Sequence, residues 1–106
     1  MPHRFDPHQH IDPQGRLAHV KGPVKKNERI FWISACVYQD GPGHYAAAAG
    51  RKRWPNGRAP EWSCPTQMAP GSMPFNKGKA RAWALALVTD GADRKYYGWG
   101  HEVDLT

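Results

Sequence analysis

The sequence predicts a mainly β fold: a small five-stranded antiparallel barrel or sandwich with a flexible N-terminal arm. Three observations carry this. Two stretches alternate in chemistry residue by residue, which is the period of a β-strand. Glycine and proline are dense, at eleven and ten in 106 residues, so turns and connections take up much of the chain. Aromatic residues are plentiful, with five Trp, four Tyr and three Phe. Each buried ring covers roughly 150–250 Å², so a chain of one-domain length can still build a core.

Residues 1–28 form the expected arm. They carry four prolines and four histidines, and their apolar residues (Phe5, Ile11, Leu17, Val20, Val24) occur singly. Such a segment offsets little of its ordering entropy, so it is predicted to be extended or mobile, with one short strand near Leu17–Val20. The folded domain is expected to span 29–106.

The clearest strand is 29–39, RIFWISACVYQ. Alternation puts Phe31, Ile33, Ala35 and Val37 on one face and Trp32, Ser34, Cys36 and Tyr38 on the other. Asp40-Gly41-Pro42-Gly43 is turn chemistry, and 44–53 is expected to return as the partner strand of a hairpin. The run Ala46–Ala49 suits a helix by propensity, but flanking Gly and Pro leave too few residues for one. Trp54-Pro55-Asn56-Gly57 predicts a second turn. Residues 61–67 predict a short edge strand, because Pro65 has no donor for a ladder. Residues 68–78 read as a loop.

Residues 79–89, KARAWALALVT, set Ala80, Ala82, Ala84, Ala86 and Val88 against Arg81, Trp83, Leu85, Leu87 and Thr89. This alternation predicts a strand. The alternative, a helix at 79–89 favoured by Ala and Leu, would make the fold α+β. Asp90-Gly91-Ala92-Asp93 predicts a turn, and 94–105 the closing strand, with Gly98 and Gly100 marking a bulge or tight bend.

The formal net charge is +6. Residues 41–89 hold seven basic groups and a single acid, Glu61, whereas 90–106 are net acidic. A cationic centre attracts polyanions. The basic residues also interleave with rings. Arg51, Lys52, Arg53 and Trp54 are followed by Arg58 and Trp62; Lys77, Lys79, Arg81 and Trp83 form a second group; Arg94, Lys95, Tyr96, Tyr97 and Trp99 form a third. Lys and Arg neutralise phosphates, and Trp and Tyr offer faces for bases to stack on.

The expected function is therefore nucleic-acid binding, with single strands favoured over duplex. The expected site is Arg51, Lys52, Arg53, Trp54, Arg58, Lys79, Arg81, Trp83, Lys95, Tyr97 and Trp99. The alternative is a protein–protein interaction or assembly module, including a homodimer, built on the same aromatics.

No enzymatic activity is expected. His101, Glu102 and Asp104 are close in sequence, but nothing in the pattern assembles an acid, a base and a nucleophile. No cofactor motif is present. The histidines His3, His8, His10 and His19 near Asp6 and Asp12 lack the rigid frame a metal site needs, so no metal is expected. Cys36 and Cys64 fit no zinc spacing and are expected to be reduced, buried thiols. No apolar run is long enough to span a bilayer and no signal-like segment opens the chain, which points to a cytoplasmic protein without a membrane partner.

Overall fold

Eight strands organise the chain in a computed structural model that describes residues 8–106. They are β1 (His8–Gln9), β2 (His19–Pro23), β3 (Ile30–Gly41), β4 (His44–Arg58), β5 (Glu61–Pro65), β6 (Gln67–Met68), β7 (Gly78–Asp90) and β8 (Asp93–Leu105). No helix occurs among the described residues. The mainly β expectation therefore holds, and the helix alternative at 79–89 falls. Period two outweighs the helical propensity of Ala and Leu there, because each alanine is placed in the core and each larger residue outside it.

The strands form two sheets, in the order β1-β8-β7-β3-β4-β6 and β2-β5. All neighbours are antiparallel except the short β1, which runs parallel to β8. The large sheet does not close, so the structure is a two-layer arrangement and not the barrel that was one of the expected forms. Its frame is two long hairpins, β3–β4 and β7–β8, joined by the β3–β7 pairing. Each hairpin turns through two residues, with Gly43 and Gly91 supplying the positive φ.

One face of the large sheet is lined by small residues. Ala35, Ala46, Ala48, Ala80, Ala82, Ala84 and Ala86 are all buried beside Ile33, Val37 and Val88. Short side chains let the second layer approach closely, and that layer delivers the bulk: Leu17, Val20, Trp62, Cys64 and Phe75. The approach is closest at Gly50. A Cβ there would lie 1.9 Å from the carbonyl oxygen of Pro65, so only glycine fits.

The expected division at residue 28 is not where the structure divides. Gln9, Ile11, Leu17 and Val20 are buried, and β2 pairs with β5 from His19↔Pro65 to Pro23↔Glu61. Val20 pairs with Cys64 and the Leu17 carbonyl accepts from Thr66 Oγ1, while Ile11 bridges Leu17 and its amide donates to the Thr106 carbonyl, pairings that local composition does not reveal. Asp12 folds the intervening turn: its Oδ1 accepts from the Gln14 and Arg16 amides, and its Oδ2 from Arg16 Nε at 2.9 Å. Residues 1–7, the start of the expected arm, lie outside the described residues.

Two further expectations change. Trp54–Gly57 is not a turn between strands but a bulge inside β4. Between the pairs Ile30↔Arg58 and Trp32↔Arg53, β3 contributes one residue, Phe31, and β4 contributes four. Gly57 takes a φ of 78° there, and its Cα faces the Phe31 ring. Conversely, Gly98 and Gly100 mark no bulge, since the β7–β8 register runs unbroken from Gly78↔Leu105 to Asp90↔Asp93. Their missing side chains instead leave room for Leu85 and Trp83, which sit directly across from them.

Candidate nucleic-acid interface

The second layer covers the alanine-lined face of the large sheet. Among the described residues no element packs over the other face, and there Trp83 (53 %), Leu85 (45 %) and Tyr96 (67 %) remain exposed. Register arranges this outer face in rows across β4, β3, β7 and β8. The first row is Arg53, Trp32, Leu87 and Tyr96; the second is Arg51, Ser34, Leu85 and Gly98. The third is Ala49, Cys36, Trp83 and Gly100; the fourth is Ala47, Tyr38, Arg81 and Glu102. Successive rows are about 6.6 Å apart, so the four span roughly 20 Å.

The two ends of this face differ in charge. At the fourth-row end, Lys79 Nζ lies 3.4 Å from Glu102 Oε1, which neutralises one of the predicted cations locally. Arg81 stands beside Trp83, whose ring meets Tyr38 edge-on at 5.7 Å. A shallow depression of about 380 Å³ lies between Tyr38, Arg81, Trp83 and Gly100.

At the first-row end the bulge raises Trp54 and Pro55 beside the sheet and leaves a groove of about 510 Å³. Arg51, Arg53 and Arg94 reach it, together with Phe31, Trp32 and Tyr96. Among the described residues, none lining this groove is acidic, and none of the three arginines forms an ion pair. The Arg94 guanidinium carbon lies 4.1 Å from the Phe31 ring centroid, a cation–π contact. Tyr96 and Trp32 meet edge to face at 6.3 Å, which leaves ring surface open to solvent.

The predicted site residues thus separate by face. Arg51, Arg53, Lys79, Arg81 and Trp83 share the outer face, and half-buried Trp54 lines the groove at its edge. Lys52 faces the opposite way, level with Ile33. Arg58 is level with Ile30 and donates through Nε to the Glu61 carbonyl. Lys95, Tyr97 and Trp99 are in register with Val88, Ala86 and Ala84 and so belong to the inner face. Tyr97 and Trp99 pack together at 5.5 Å against the core, with Lys25 Nζ 5.6 Å from the Tyr97 centroid. Trp62 is a core residue, 2 % exposed.

Phe31, Trp32, Tyr38, Arg94 and Tyr96 also line this face and lie outside the expected site. Trp32 and Tyr38 had been placed together on one strand face, but nothing local said that this face is the open one. In 94–99 the outer face takes Arg94 and Tyr96, the parity opposite to the expected Lys95, Tyr97 and Trp99. Phe31 departs from its expected side because it sits in the bulge.

Cys36 lies on the outer face between Ala49 and Trp83, half-buried, and burial raises its thiol pKa. Cys64 lies in the core, where burial pushes its thiol up to about 11 and the charge of Lys52 opposes that shift slightly. Both are free thiols; Cys64 is buried as expected, whereas Cys36 is only half-buried because it sits on the outer face. Among the described residues no group of His, Cys, Asp and Glu is arranged to hold a metal, and no helix is long and apolar enough to cross a membrane. His3 and Asp6 lie outside the described residues.

No protein-family model, no curated protein and no solved structure matches this chain.

Proposed function

We propose that the outer face of the large sheet binds single-stranded nucleic acid. The observation that carries this reading is the groove in which Arg51, Arg53 and Arg94 stand among Phe31, Trp32, Trp54 and Tyr96, with no ion pair to any of the three and no acid lining it among the described residues. Guanidinium groups suit phosphate and rings suit base faces, so one surface offers both halves of a nucleotide's chemistry. Trp83 and Arg81 extend the same pairing of ring and cation along the face. A broad, shallow sheet surface suits splayed bases better than a duplex, whose bases are already stacked. The reading is of a binding protein and involves no catalytic step.

The rival reading is a protein-interaction surface. Exposed Trp83 and Leu85 at the centre of the face favour it, since contiguous exposed apolar area often marks a protein contact.

Titration with oligothymidylate at low and moderate salt, followed by tryptophan fluorescence, separates the two. Nucleic-acid binding quenches the signal, and log affinity falls with log salt at a slope of about 0.7 per phosphate neutralised. A mass that rises with protein concentration, with no response to oligonucleotide, would instead support the protein-interaction reading.

A further inference from the structure

We infer that the groove at the bulged end of the sheet is a pocket for one phosphorylated nucleotide, with the base lying against Trp32, Trp54 and Tyr96 and the phosphate held by Arg51, Arg53 and Arg94. This rests on the proposed outer-face function and adds to it a discrete site with its own ligand class.

The size is suitable. At about 510 Å³ the groove falls within the roughly 300–1,000 Å³ typical of small-molecule sites. It is also structurally specified. The bulge places four residues of β4 opposite Phe31 alone, and this excess chain forms the Trp54–Pro55 wall that a regular hairpin would lack. Gly57 permits the bulge at φ 78°, with its Cβ position already 3.1 Å from the Phe31 ring.

The lining chemistry narrows the ligand. Arg51 and Arg53 are two residues apart on β4 and so project on one face. Arg94 enters from the far side of the row on β8, with its guanidinium carbon 4.1 Å from the Phe31 ring centroid. A guanidinium has five N–H donors, so contact with a ring is compatible with donation to an oxyanion. A purely apolar ligand would leave three guanidinium groups to be desolvated without a partner, which is costly. Inorganic phosphate would leave the rings without a role. A ligand that joins a flat ring to a phosphate meets both requirements.

Calorimetric titration of the full chain with adenosine monophosphate, adenosine and inorganic phosphate at low salt tests this. The monophosphate is expected to bind at least roughly ten-fold more tightly than either fragment, because both halves of the site are then engaged. Arg53→Gln and Arg94→Ala are each expected to weaken it by about ten-fold, while Lys52→Gln, on the inner face next in sequence, leaves it within roughly two-fold. Arg94 also contacts Phe31, so Arg53→Gln decides the matter if Arg94→Ala alters the near-ultraviolet circular dichroism. Equal affinity for adenosine and its monophosphate, or unchanged binding in Arg53→Gln, overturns the inference. Oligothymidylate is titrated in parallel. If it binds while the monophosphate does not, the pocket is wrong and the outer-face reading stands; if neither binds, both fall.

Discussion

Gly50 shows how little freedom a single position has in this fold. Its place on β4 lies under the Pro65 carbonyl, and the fault of a side chain there would be steric, because its φ is unremarkable. A Cβ 1.9 Å from a backbone oxygen can be accommodated only if the two sheets separate. Gly50→Ala is therefore expected to destabilise by about 1–3 kcal/mol, read as a lower urea midpoint with an unchanged slope. Cys64 offers a second residue-scale test. Its thiol is raised from 9.0 to about 11 by burial, so the unfolded chain ionises first. The folded state's advantage from this group is complete below pH 9 and is lost as pH rises towards 11. The stability difference between the natural chain and Cys64→Ala should accordingly shrink across that window in urea titrations at stepped pH. A difference that stays constant would mean that the thiol is not shielded as its burial implies.

At the scale of the element, β7 is the strand that organises the two faces. Its alanines let the second layer close in, and its larger residues build the open surface. This was legible from 79–89 alone, because strict alternation of small and large residues has no helical equivalent. The same rule did not identify which parity of β8 joins the outer face. Both sets, Arg94 with Tyr96 and Lys95 with Tyr97, have the same character in sequence, and only pairing with Leu87 and Ala86 separates them. The β4 bulge was read as a turn for a related reason. Trp-Pro-Asn-Gly has turn chemistry whether the chain reverses there or merely kinks, and the strand opposite determines which. Within β7, Trp83 lies over the bare backbone of Gly100, an arrangement in which an aromatic ring shields a cross-strand glycine. Trp83→Ala is expected to cost about 0.5–1 kcal/mol of stability in thermal or urea unfolding. It should also weaken oligothymidylate binding by about 1–3 kcal/mol, the worth of one stacked base. A loss of stability with no loss of affinity would restrict the interface to the groove end.

At the scale of the whole molecule, the decisive feature is that one broad sheet has two unlike faces: among the described residues, the second layer covers the alanine-lined one and no element packs over the other. Overall charge and the clustering of cations with rings were visible in the composition of 41–89, but the face that each residue joins depends on the β3–β7 pairing of residues about fifty positions apart. The burial of Leu17 and Val20 was invisible for the same reason: Val20 pairs with Cys64 and the Leu17 carbonyl accepts from Thr66 Oγ1, more than forty residues along the chain. Net charge alone would make every exposed lysine and arginine contribute similarly to polyanion binding, whereas a facial interface makes contribution depend on orientation. Arg53 and Lys52 are neighbours in sequence, both exposed, and point to opposite sides of the sheet. The most direct test is thus to compare oligothymidylate affinity in Arg53→Glu and Lys52→Glu, which change the net charge equally. A facial interface predicts a loss of roughly ten-fold or more for Arg53→Glu and less than about three-fold for Lys52→Glu. Equal losses in the two variants would contradict it.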